Sequence, residues 1–136
     1  MKFCLQVLAP ALLCGLVFTA CHEPTPVGPV PSSFQLNQNY PNPFQDTTVV
    51  QYGVPASGSG EHLILQVFDL QRTSIRVLEN VLNHPAGTFQ VTWDGRNGDF
   101  QRVPPGLYVI ELRSGSVFGI DGGMDGVYGR IMAVRR

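Results

Sequence analysis

The groups able to do chemistry in this 136-residue chain are few and scattered: three histidines, three cysteines and ten carboxylates. His22, His62 and His84 lie far apart, and none belongs to an H-x-x-x-H pair that would set two imidazoles on one metal. No serine stands in a G-x-S-x-G elbow, and no Walker or dinucleotide-binding glycine pattern occurs. Two acidic stretches, Asp94-Gly-Arg-Asn97-Gly-Asp99 and Asp121-Gly-Gly-Met-Asp125-Gly126, could offer oxygens to Ca²⁺. Neither places acids at positions 1, 3 and 5, and neither is followed by the bidentate glutamate such a loop needs. Their glycines, asparagine and aspartates read instead as turn residues, supplying positive φ and local side-chain caps. The expectation is a chain that is not an enzyme, with no catalytic residue, metal, cofactor or small-molecule substrate.

The cysteines carry more information. Residues 1–20 contain a single positive charge, Lys2, followed by an apolar stretch from Phe3 to Val17 that includes Cys4 and Cys14. A bilayer-spanning helix needs about 20 apolar residues, and Pro10 and Gly15 weaken this stretch further. It reads as a signal peptide. Ordinary signal peptidase prefers small side chains at −3 and −1, and Phe18-Thr19-Ala20 puts an aromatic ring at −3. The run Val17-Phe18-Thr19-Ala20-Cys21 resembles the lipobox of bacterial lipoproteins, with Phe18 where leucine is usual. The resemblance implies that the Cys21 thiol receives a diacylglycerol and becomes the first residue of the mature protein. Membrane attachment would then rest on buried acyl chains, two or more of which anchor stably. Cys21 is also the only cysteine left after processing, so no intramolecular disulfide is possible, although an envelope compartment would permit one. The expected location is the bacterial cell envelope, at the outer membrane, facing the periplasm or the cell surface.

Beyond residue 20 the chain carries eight arginines and no lysine against ten carboxylates. These charges are dispersed, and no basic stripe could neutralise phosphates, which argues against a nucleic-acid partner.

The elements that would hold all this in place are extended. Residues 21–33 hold Cys21 and a proline-rich run, HEPTPVGPVPSS, without apolar periodicity. Such a segment favours polyproline II at ~3.1 Å per residue, so twelve residues would reach roughly 37 Å as a tether. Residues 34–136 alternate with a period of two. Thr48, Val50, Tyr52 and Val54 form one set, Leu63, Leu65 and Val67 a second, and Phe89, Val91 and Trp93 a third. Tyr108, Ile110 and Leu112 face one way while Val109, Glu111 and Arg113 face the other. Either Ile131 and Ala133 or Met132 and Val134 point inward from the last strand. A shorter run from Thr73 to Leu78 lies between, and Arg76–Leu82 reads as extended in preference to helical. Pro55–Gly60, Asn83–Gly87, Asp94–Gly106 and Ser114–Gly129 are rich in turn residues. About seven short strands in about 100 residues predict an all-β, Ig-like antiparallel sandwich. Its expected core is Leu36, Val50, Tyr52, Leu65, Val67, Ile75, Phe89, Val91, Trp93, Tyr108, Ile110 and Leu112.

Residues 36–55, LNQNYPNPFQDTTVVQYGVP, resemble the opening of the type A C-terminal sorting domains of the type IX secretion system, whose pattern is L-x-Q-N-Y-P-N-P-F-N-P-x-T-x-I-x-Y-x-L-P. Leu36, Gln38, Asn39, Tyr40, Pro41, Asn42, Pro43, Phe44, Thr48, Val50, Tyr52 and Pro55 fall on it. The similarity continues through LQVFDL at 65–70, AGTFQVTWDGRNGDFQRVPPGLYVIEL at 86–112 and the terminal GRIMAVRR. The Ig-like domain of flagellar hook-capping proteins shares the W-D-G-R…G-x-Y half. Gln45-Asp46 replaces the family's Asn-Pro, Arg72 and Phe100 stand where glycines usually sit, and the stretch from Ser114 to Gly129 is longer than usual. In the family the domain closes a long cargo protein, whereas here the proline-rich run leads directly into it. Physics assigns these residues structural work. Each proline restricts the residue before it, Phe44 folds under as a plug for the open end of the sandwich, and Trp93 supplies the largest buried surface.

Two roles follow from this reading. The first is a lipid-anchored envelope protein that presents a non-catalytic sandwich to an envelope partner. The second is a type IX sorting domain recognised by the secretion machinery. Both point to the last strand. It is expected at a sheet edge, where unpaired N–H and C=O groups can accept a partner strand. Arg130, Arg135 and Arg136 would favour an acidic partner there.

Overall fold

The computed structural model describes residues 23–115 and 126–136. Every alternating run becomes a strand: β1 (Gln35–Leu36), β2 (Thr48–Val54), β3 (His62–Phe68), β4 (Ser74–Val81), β5 (Gly87–Trp93), β6 (Gly106–Gly115) and β7 (Gly126–Arg135). The one helical piece among the described residues is a 3-10 turn at Ala56–Gly58. The strands form two antiparallel sheets, ordered β1-β2-β5 and β4-β3-β6-β7. They pack face to face as a β-sandwich, as the period-two pattern requires.

Alternation decides what is inside. Val50, Tyr52 and Val54 of β2 point to the core, as do Leu63, Leu65 and Val67 of β3. Phe89 and Trp93 of β5 join Tyr108, Ile110 and Leu112 of β6. Ile131 and Ala133 are the buried pair of β7, so the last strand's register is settled in their favour. Burying each large aliphatic side chain contributes about 1.5–3 kcal/mol, the main favourable term in a domain without a disulfide. Trp93 is fully enclosed, with its ring centroid 5.3 Å from Phe44 and 5.4 Å from Tyr108. Its indole N–H donates to the Arg96 carbonyl at 3.0 Å, so the buried polar atom is satisfied.

Some expectations shift at the margins. Leu36, Ile75 and Val91 are only half-buried, because they sit on or beside edge strands, whereas Phe44, Val103 and Leu63 join the core. β6 continues to Gly115 and β7 starts at Gly126, with Ser114 paired to Gly126 and Arg113 to Val127. The stretch expected to loop from Ser114 to Gly129 is thus partly hairpin. Its acids Asp121 and Asp125 lie outside the described residues, as does Cys21.

The two sheets leave two lateral sides. On one, β4 faces β5; on the other, β1 faces β7. Residues N-terminal to β2 close both. The proline-rich segment is extended as expected, but it lies on the domain and does not project from it. Pro24 is buried, Val27 N–H donates to Thr88 O at 2.7 Å, and Thr88 Oγ1 donates to Pro29 O at 2.7 Å. A freestanding 37 Å spacer is therefore not what residues 23–31 form: the prolines cannot donate to a strand, yet their carbonyls can accept from one.

Candidate interaction surface

The corner that closes the β1/β7 side is built from three pieces distant in sequence. The first is residues 39–44. Asn39 is buried, and its Nδ2 donates to Thr48 Oγ1 at 2.9 Å, while Thr48 Oγ1 donates to the Pro41 carbonyl at 2.8 Å. Tyr40 and Val49 exchange backbone hydrogen bonds of 2.9 and 2.8 Å. The Tyr40-Pro41 and Asn42-Pro43 peptide bonds are both cis. Phe44, at the end of this segment, packs under Trp93, where the sequence placed a plug.

The second piece is the turn after β5. Gly95 has φ +68°, and a Cβ there would lie 3.1 Å from Arg135 Nε and 3.4 Å from the Phe44 ring. Glycine is needed both for the backbone conformation and for the close approach. The third piece is the end of β7. Arg135 makes a parallel bridge with Phe44, and Arg136 N–H donates to the Phe44 carbonyl at 2.9 Å.

β7 is therefore an edge strand, as expected, but not an open one along its length. Phe44 occupies its end, the Phe34 ring stacks on Tyr128 with centroids 3.9 Å apart, and Leu36 packs against Gly129. Val127 and Tyr128 keep exposed apolar surface near its start. Of the three arginines, Arg135 and Arg136 differ sharply in exposure. Arg135 is only 9 % exposed, and its Nε has no hydrogen-bond partner among the described residues. Arg136 is exposed. Arg130 is placed by its backbone, in register with Glu111, and its side chain lies outside the described atoms. Burial pushes the Tyr108 hydroxyl above its ordinary range, with the nearby Arg135 charge opposing the rise.

Two buried polar groups were not foreseen. Glu111 points away from the core, yet its side chain is fully enclosed beneath Arg72 Nη1 at 2.9 Å and Arg113 Nε at 3.2 Å. Its strand is interior to a four-stranded sheet, so long neighbouring arms can cover it. Arg72 reaches it from a left-handed position, φ +67°, and lies 5.2 Å from the Phe68 ring centroid. Phe100 is likewise left-handed at φ +61°. His84, expected in a turn, is in that turn but wholly buried. Its Nδ1 lies 2.7 Å from the Pro85 carbonyl and its Nε2 lies 3.1 Å from Tyr52 Oη. A carbonyl can only accept, so Nδ1 carries a proton and donates it to Pro85, while Nε2 and the Tyr52 hydroxyl share the second hydrogen bond. Its edge meets Phe89 at 4.6 Å. That imidazole is a packed core group.

The acidic turn at 94–99 spends its oxygens locally. Asp94 Oδ1 accepts from Arg96 N–H at 3.1 Å, and Asn97 Oδ1 accepts from the Asp99 and Gln101 N–H groups at 3.0 Å each. Among the described residues no three His, Cys, Asp or Glu side chains gather as metal ligands, and no helix is long and apolar enough to cross a membrane.

Among solved structures, dimeric latent PorU from Porphyromonas gingivalis is similar to this chain, with a TM-score of 0.57 and 15% identity. The likeness covers 78% of this chain but only 10% of PorU, so it concerns one small part of that protein and shows the fold alone. FlgD from P. aeruginosa is similar over 64% of this chain and 62% of its own, at 25% identity and a TM-score of 0.47. No family model matches, and no curated protein does.

Proposed function

We propose that this protein works by contact and not by catalysis, as a β-sandwich held at the bacterial envelope through a lipidated Cys21. The observation that carries this reading is the corner itself. Residues 39–44, 93–95 and 135–136 are its most distinctive sequence features, and they meet at one end of β7 through backbone bonds and aromatic packing. They frame a partly covered edge strand with exposed apolar residues, a surface suited to an extended peptide from an envelope protein.

Two experiments test the reading on the full chain. Intact-mass measurement of membrane-extracted protein should show the acyl increment on residue 21, and Cys21→Ala should move the protein to the soluble fraction; an unmodified thiol overturns the anchor. Photo-crosslinking from position 127 should recover a partner protein that position 99, on the exposed β5–β6 connection, does not. Equal recovery from both positions overturns β7 as the contact surface.

A second reading is favoured by the same corner, because its residues are those that resemble type IX sorting domains. In that reading the secretion machinery is the partner. Fractionation in a host with and without that machinery separates the two: machinery-dependent appearance outside the outer membrane supports sorting, and an unchanged envelope location supports the anchored module.

A further inference from the structure

We infer that residues 23–31 act as a strap that fixes how the sandwich sits on the lipid surface, with the β4/β5 side toward the membrane and β7 turned away. This rests on the anchored reading above. Three observations support the strap. Pro24 is buried, and a cavity of about 480 Å³ is lined by Pro24 together with Leu78 and Glu79 of β4 and Phe89, Gln90 and Thr92 of β5. Val27 N–H and the Pro29 carbonyl both bond to Thr88, and Gly28 bridges the same residue. Pro26 lies against Gly87, where a Cβ would approach it to 3.0 Å. The chain is thus held along the first residues of β5 before it crosses to Gly53, where a Cβ would meet Pro31 at 2.8 Å.

The geometry then dictates orientation. Cys21 precedes Glu23 by two residues, which span at most about 7 Å. An acylated Cys21 cannot stand far from the β4/β5 side. β7 lies three strand intervals from β4 across its sheet, or about 14 Å at ~4.8 Å per interval. The lipid surface and the start of β7, where Val127 and Tyr128 are exposed, therefore occupy opposite sides of the domain, and a partner can reach those two residues without displacing lipid.

The test uses the acylated full-length protein, whose only natural cysteine after processing is blocked. Gln90→Cys and Val127→Cys variants carry a thiol-linked fluorophore and are bound to phosphatidylethanolamine–phosphatidylglycerol vesicles containing a headgroup-linked quencher. Both should sediment with the vesicles, and quenching at position 90 should exceed that at 127 by at least twofold. Adding Pro24→Ser and Val27→Pro to each should abolish the contrast while sedimentation persists. Equal quenching in sedimenting protein, or a contrast that survives those two substitutions, overturns the strap and leaves the anchor standing. Failure to sediment overturns the anchor and the orientation together.

Discussion

The two lateral sides of this sandwich meet the same problem with different chemistry. On the β1/β7 side, the gap is filled by side chains: Phe44 beneath Trp93, Phe34 stacked on Tyr128, and Leu36 against Gly129. On the β4/β5 side, the chain supplies mostly backbone, with Val27 and Pro29 bonded to Thr88 and only Pro24 buried. Aromatic burial is worth several kcal/mol, while a partly exposed hydrogen bond contributes about 1 kcal/mol. The first side should therefore unfold with the core, and the second should open on its own.

The largest expected effect tests the first half. Phe44→Ala should cost about 3–5 kcal/mol, close to Trp93→Ala, because both remove a large ring from the same enclosed cluster. Chemical denaturation, followed by Trp93 fluorescence for Phe44→Ala and by far-ultraviolet circular dichroism for Trp93→Ala, would measure both, and a loss under 1 kcal/mol for Phe44→Ala would mean the plug is not part of the cooperative unit.

A second effect belongs to the interior of the other side, where Tyr52 and His84 pair. Burial, reinforced by the Glu79 charge, raises the Tyr52 hydroxyl well above the ordinary tyrosine range. In the unfolded chain it ionises near pH 10, while the folded protein holds it neutral. Its contribution is therefore intact below pH 10 and falls as pH rises beyond that toward the folded value. Tyr52→Phe should cost about 1 kcal/mol at neutral pH by removing the bond to His84. The gap between mutant and parent should close above pH 10. A constant gap through alkaline pH would show that Tyr52 is not the group responsible.

Much of this was legible in the sequence, and the exceptions share a cause. Period-two alternation placed Val50, Tyr52, Leu65, Val67, Trp93, Tyr108, Ile110 and Leu112 correctly, because each sits on a strand with one face in the core. The plug role of Phe44 was also readable, from its place after two X-Pro steps. What alternation could not show was cover supplied from elsewhere in the chain. Glu111 has an outward phase, yet Arg72 and Arg113 enclose it, and Arg72 is 39 residues away. Arg135 reads from the sequence as a cation open to an acidic partner, yet Phe44 and Gly95 pack over it and leave it 9% exposed. Proline-rich composition said nothing of Thr88, the residue that receives the segment.

Glu111 sharpens the comparison at intermediate scale. Arg72→Ala removes the 2.9 Å partner of an enclosed carboxylate and should cost about 1–3 kcal/mol. Glu111→Gln should cost less, since the arginine side chains are 50% and 37% exposed and can return to water. The reverse order, read from thermal midpoints, would show that the arginines and not the carboxylate carry the burden of burial.

The smallest effect bears most directly on the strap. Thr88→Ala deletes the Oγ1 donor to the Pro29 carbonyl but keeps the backbone bond from Val27, and the side chain is not in the core. The lost hydrogen bond is partly solvated, so its loss should cost about 0.5–1.5 kcal/mol. If the strap opens independently, that cost is confined to the opening equilibrium of residues 23–31 and leaves the global unfolding midpoint nearly unchanged. Amide exchange at Val27 should then accelerate by up to about tenfold, since 1.4 kcal/mol corresponds to one decade. Exchange at Val50 and Ile110, in central strands of the two sheets, should not respond. A shift of the global midpoint as large as that of Phe44→Ala would instead make the strap part of the core, and the two sides of the sandwich would differ in composition but not in cooperativity.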